Sequence, residues 1–150
     1  DADSEEGTFE NDGLAALVEV VEDKLKGTKL IMDAIDRNAD IDPSRVLIDH
    51  VEEHTVGMVL DDGFWAGMTL YPETKCTSNR AIDFLELYGN ERIWMNSACD
   101  WGISVPLAVP RAAQEMKRRG SDPGQIDKVI YQNPIEFMSQ SPRFTAPEGL

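Results

Sequence analysis

The feature that most constrains this chain is an alternation of short, uninterrupted apolar runs with longer amphipathic ones. Arg45 to Asp49 reads R-V-L-I-D, Phe64 to Tyr71 reads F-W-A-G-M-T-L-Y, and Arg92 to Ser97 reads R-I-W-M-N-S. Runs that are apolar at consecutive positions suit strands covered on both faces, as in parallel sheets. The stretches between them repeat apolar residues at helical spacing. That order of elements predicts βα units and a parallel α/β sheet.

The helical stretches carry their own start and stop signals. Lys24 to Asn38 places Leu30, Ile31, Ala34 and Ile35 at helical spacing, and Thr55 to Asp62 is a short helix stopped by Gly63. Ser78 to Tyr88 places Ala81, Ile82, Leu85 and Tyr88 on one face and ends at Gly89. Pro106 to Arg119 ends in Lys117, Arg118 and Arg119, which suits the helix dipole, and Gly120 closes it. Asp122 opens a further helix, with Pro123 at its first position and Gln125 completing a capping box. That helix is expected to run to about Tyr131 and to break at Asn133-Pro134. Leu14 to Val21 reads as a strand on its β-branched valines, or as the start of a helix.

A chain of 150 residues can bury one core, and its 41% hydrophobic and 28% charged residues are ordinary globular usage. Residues 1–12 carry Asp1, Asp3, Glu5, Glu6, Glu10 and Asp12 with no basic residue, and are expected to be a solvated acidic tail. Residues 13–144 form the expected folded body, and 145–150 a loose C-terminal end. The formal net charge of -14 argues against a nucleic-acid-binding patch and against an anionic membrane surface as partner. No apolar run is long enough to be a membrane segment. The first residue is Asp rather than Met, so the chain reads as a processed or partial product. Two well-separated cysteines, Cys76 and Cys99, point to a soluble protein of a reducing compartment, in the cytoplasm or an organelle.

Ligands of parallel α/β folds sit at the C-terminal ends of the strands. The residues following each run are therefore the candidates for chemistry. No G-x-G-x-x-G and no phosphate-binding P-loop follows any strand. After V-L-I come Asp49, His50, Glu53 and His54; after the third strand come Cys99, Asp100, Trp101 and Gly102. A neutral imidazole at His50 can bind a metal, and the plainer alternative is a hydrogen bond to a loop carbonyl. Asp100 can ligate a metal or accept a proton from water, or simply cap its turn. Asp49 is adjacent to His50, but neighbours on a strand point to opposite faces. His50 and His54 also spell H-x-x-E-H, a zinc-protease pattern that requires a helix where the sequence reads as a strand end. Cys99 has no evident base and reads as a packing residue. Trp65 and Trp94 read as core, and Trp101 as a candidate for a pocket mouth.

The blocks R-V-L-I-D-H-V-E-E-H-T, D-G-F-W-A-G-M-T-L-Y-P-E-T-K, E-R-I-W-M-N-S-A-C-D-W-G and V-I-Y-Q-N-P-I-E-F-M-S-Q-S-P-R-F occur here in that order. Together they resemble the later strands of TatD-like hydrolases of the metal-dependent amidohydrolase superfamily. The resemblance covers Lys24 to Phe144. It implies a TIM-type (β/α) barrel, of which this chain is the C-terminal half, with a divalent metal (zinc, magnesium or manganese) at the C-terminal face. Carried over, His50 corresponds to a mid-barrel metal ligand and Asp100 to the last-strand ligand and base. Glu53 would be a further polar contact, with Asp49 and Trp101 nearby.

The chain departs from the family pattern in having no H-x-H, and Leu14 to Val21 ends without a histidine. Two functions follow. The chain is one part of a hydrolase that uses metal-activated water on a phosphodiester, ester or amide; alone it would hold little metal and be inactive. Alternatively, it is a degenerate half barrel that serves as a structural subunit. Both require a second polypeptide that supplies the missing strands, or a larger assembly.

Overall fold

The computed structural model describes residues 23–71, 76–99, 103 and 105–147. The expected strand at Leu14 to Val21 and the acidic tail lie outside the described residues. The described residues fall into two compact units, divided between Ile41 and Asp42.

The first unit contributes one helix, α1 (Lys24–Asp36), capped by Asp23, whose carboxylate accepts the Lys26 N–H at 3.0 Å. Its buried residues are Gly27 and Met32. Leu30 and Ile31, expected on the apolar face, are each close to half exposed. The spacing thus identified the helix but not the row it buries, because rows one position apart share the same period.

The second unit is mixed α/β. Its elements are β1 (Leu47–Ile48), α2 (Val56–Asp61), β2 (Trp65–Leu70), α3 (Ser78–Tyr88), β3 (Ile93–Ser97), α4 (Ala108–Arg119), α5 (Pro123–Asp127) and α6 (Asn133–Met138). The three strands form one sheet in the order β1-β2-β3, and both pairings are parallel, as the apolar runs predict. Every residue of β2, the central strand, is buried. β1 is shorter than the apolar run around it. On one side Asp42 caps a tight turn at Pro43–Arg45 by accepting the Ser44 N–H at 2.9 Å. On the other, β1 ends at Ile48.

Strand alternation sorts the side chains onto two faces. Directly paired residues of parallel strands share a face, so the register puts Ala66, Met68 and Leu70 with Ile93, Met95 and Ser97. This face turns toward α4: Leu70 borders Ala108 and Arg111, and the Ser97 hydroxyl accepts the Val109 N–H at 3.1 Å. α4 buries Ala108, Ala112 and Met116, one residue per turn. It ends as expected at Gly120, whose φ of 96° lies in the left-handed region where glycine is strain-free. α3 buries Ala81, Ile82, Phe84 and Leu85; Tyr88, expected inward, is 40% exposed at the last turn. Arg119 ties α4 to α3 by donating to Asp83 at 2.6 Å and to Asn79 Oδ1 at 3.2 Å.

The other face carries Trp65, Gly67 and Thr69 of β2 with Trp94 and Asn96 of β3. At the N-terminal end of the strands, Phe137 of α6 packs edge-on against both tryptophans, with ring centroids 5.6 and 5.0 Å apart. The C-terminal segment is held to that end by polar contacts as well. Gln140 donates to the Ser44 carbonyl at 3.0 Å, and its own carbonyl accepts from Arg45 at 3.1 Å.

The expected break at Asn133-Pro134 does not occur. Asp122 makes the capping box with Gln125, and helix continues through a wide turn at Lys128–Gln132 into α6. Pro134 has no N–H, and its ring would crowd the carbonyl one ordinary turn back. The wide turn, in which the Asn133 N–H reaches the Lys128 carbonyl, loosens the helix at that point. Asn133 anchors the junction: fully buried, it donates to the carbonyls of Asn90 and Ile93, each at 2.7 Å.

Candidate functional site

The C-terminal ends of the strands form an open depression lined by Asp49, His50, Thr69, Tyr71, Asn96, Ser97, Ala98 and Cys99. Its polar centre is the carboxylate of Asp49, the residue that follows β1. The Thr69 hydroxyl lies 2.9 Å from each carboxylate oxygen. A hydroxyl has one hydrogen, so this is one donor shared between two acceptors. Asn96 Nδ2 approaches Oδ1 at 3.4 Å, and the His50 N–H donates to the same oxygen at 2.8 Å. Asp49 thus links β1 to both other strands through side chains alone.

Gly67 makes this possible. A Cβ at Gly67 would lie 2.4 Å from Asp49 Oδ1 and 3.2 Å from Asp49 Cα. The first distance is far inside van der Waals contact and the second is tight, so a side chain at residue 67 would push the carboxylate off β2.

His50 follows in an unusual conformation, with φ at 59°. For a residue with a Cβ this left-handed region costs roughly 1–2 kcal/mol. The Val51 N–H then returns to the sheet, donating to the Gly67 carbonyl at 3.0 Å. The left-handed residue is the reason that Asp49 and His50 line the same depression. The sequence reading expected strand neighbours on opposite faces, but the strand has already ended at Ile48.

The other expected site residues fall elsewhere. Asp100 and Trp101 lie outside the described residues. Glu53 does not line the depression; it receives two hydrogen bonds from Arg80 of α3, at 2.7 and 2.5 Å. That guanidinium holds the Glu53 carboxyl at about 2, well below the ordinary carboxylate range. His54 is exposed in the turn before α2, so His50 and His54 are not on one helix as the zinc-protease pattern requires. Cys99 is exposed and borders the depression, whereas Cys76 is buried. Thr69, Asn96 and Gly67 were missed by sequence reasoning. Their signal was present as polar or absent side chains at alternate positions of otherwise apolar runs.

Imidazole suits zinc, and carboxylate suits magnesium or manganese as well as zinc. Asp49 and His50 supply one of each, short of the three protein ligands of a catalytic zinc site. Among the described residues no group of three potential metal donors occurs. Nor is any helix among them long and apolar enough to cross a membrane. No family model, no curated protein and no solved structure matches this chain.

Proposed function

We propose that this chain is the C-terminal part of a metal-dependent hydrolase resembling the TatD-like enzymes, with its site at the C-terminal ends of β1, β2 and β3. The observation that carries the reading is the pairing of Asp49 with His50 in a polar depression at the end of a parallel sheet where ligands of such folds bind. In this reading His50 and Asp100 are metal ligands, Asp100 is also the base, and Trp101 borders the pocket. A bound divalent metal would supply Lewis-acid activation of water toward a phosphodiester, ester or amide. A second polypeptide supplies the missing strands of the barrel and the remaining ligands.

The test is a zinc titration of the chain followed by nuclear magnetic resonance of the His50 imidazole. The reading expects a weak, saturable response that Asp100→Asn removes and His54→Ala leaves intact. A His50 signal indifferent to millimolar zinc, magnesium and manganese would sink it.

One observation favours a second reading. The Asp49 carboxylate is already engaged by the protein: Oδ1 accepts from the His50 N–H and lies near Asn96, and the single Thr69 hydroxyl hydrogen is shared between Oδ1 and Oδ2. A carboxylate so engaged serves as a staple among three strands, as in a catalytically inactive half barrel acting as a structural subunit. Strong loss of stability in Asp49→Ala, together with no metal response, would select this reading.

A further inference from the structure

We infer that Asp49 is a positioning residue for His50, clamped by Thr69 and Asn96 over the side-chain-free Gly67. The inference rests on the reading in which His50 is the working imidazole of this site. His50 occupies a backbone conformation that a residue with a Cβ adopts only when something holds it there, with φ at 59°. Two contacts hold it. Its N–H is bonded at 2.8 Å to Asp49 Oδ1, and the next N–H, of Val51, is bonded at 3.0 Å to the Gly67 carbonyl. The first contact is only as firm as the Asp49 carboxylate. That carboxylate stays in place because the buried Thr69 hydroxyl lies 2.9 Å from both its oxygens. Asn96 adds a longer contact at 3.4 Å.

The clamp draws on all three strands, so the orientation of His50 depends on the register of the whole sheet. It also assigns a task to the two polar side chains on the otherwise aromatic face of β2 and β3. A carboxylate that orients a ligand histidine without holding the ligand itself is a recurrent arrangement, and losing one weakens metal binding roughly 10–100-fold. Here the carboxylate acts on the backbone of the histidine rather than on its ring.

The experiment uses the full chain and compares wild type with Thr69→Val and Thr69→Ser. Backbone chemical shifts and the amide-to-α-proton coupling at residue 50 report its left-handed conformation, and zinc is the probe of its imidazole. Thr69→Val keeps the side-chain volume and removes the donor. It is expected to move residue 50 out of the left-handed region and to weaken the zinc response of the His50 ring about tenfold. Thr69→Ser keeps the hydroxyl and is expected to restore both. Amide signals of α4 check that the fold persists, and Asn96→Ala replaces Thr69→Val should that variant unfold. Unchanged residue-50 shifts in a folded Thr69→Val would overturn the inference, as would failure of Thr69→Ser to restore them. If wild-type His50 ignores zinc, the proposed function fails, and the positioning role is still decided by the backbone signals.

Discussion

Asn133 offers the sharpest test of how the C-terminal segment is fastened to the sheet. Its side chain is fully buried and donates to two carbonyls, of Asn90 and Ile93, each at 2.7 Å. Its own Oδ1 has no hydrogen-bond partner. Asn133→Ala removes both donated bonds, worth about 1 kcal/mol each. It also leaves the Ile93 carbonyl without that partner, at roughly 1–3 kcal/mol. Two terms oppose the loss. The unpartnered Oδ1 disappears, recovering about 1 kcal/mol or more, and alanine is better in a helix than asparagine by roughly half a kcal/mol. The balance is a destabilisation of about 2–3 kcal/mol, read from the urea midpoint at unchanged slope.

Asn133→Asp sharpens the test through its pH dependence. The introduced carboxyl would face two carbonyl oxygens without water, which raises its folded pKa above its unfolded value near ~3.9. A raised carboxyl pKa means that the unfolded state ionises first. Stability relative to wild type should therefore fall as pH rises above about 4, by up to ~1.4 kcal/mol per pH unit until the folded pKa is reached. An Asn133→Ala variant within about 0.5 kcal/mol of wild type, or a pH-independent difference for Asn133→Asp, would refute the anchoring role.

Gly67→Ala should cost about 1–3 kcal/mol by chemical denaturation, because its Cβ would meet Asp49 backbone as well as carboxylate. The loss should shrink but not vanish in combination with Asp49→Ala. Phe137→Ala removes edge contacts to Trp65 and Trp94 from a half-buried position; a loss of about 2–4 kcal/mol in thermal or urea unfolding is expected. Glu53 has a folded pKa depressed to about 2 by Arg80. Its contribution is present above the ordinary carboxylate pKa and lost as pH falls toward 2. Because both side chains are more than a third exposed, Arg80→Ala should cost less than about 1 kcal/mol at neutral pH. It should also return the Glu53 titration, followed by carboxyl carbon resonance, toward 4.5.

Much of the architecture was legible from residues close together in the chain. The runs at Arg45–Asp49, Phe64–Tyr71 and Arg92–Ser97 announced parallel strands, because consecutive apolar positions suit strands covered on both faces. Asp122 with Gln125 announced a helix start, and Gly120 a helix end, because capping is settled within one turn. The depression at the strand ends could be placed from topology. Its working geometry could not. Asp49 meets Thr69 and Asn96 across twenty and forty-seven positions of chain, at a register that the packing of whole strands decides. The same holds for the π-type turn before Pro134. Locally proline argues for a break, but the buried Asn133, bonded to the start of β3, keeps the helix running. Short-range chemistry sets caps such as those at Asp122 and Gly120. Which polar side chains meet is set only when the strands align, because a shift of one residue would turn Thr69 and Asn96 to the opposite face.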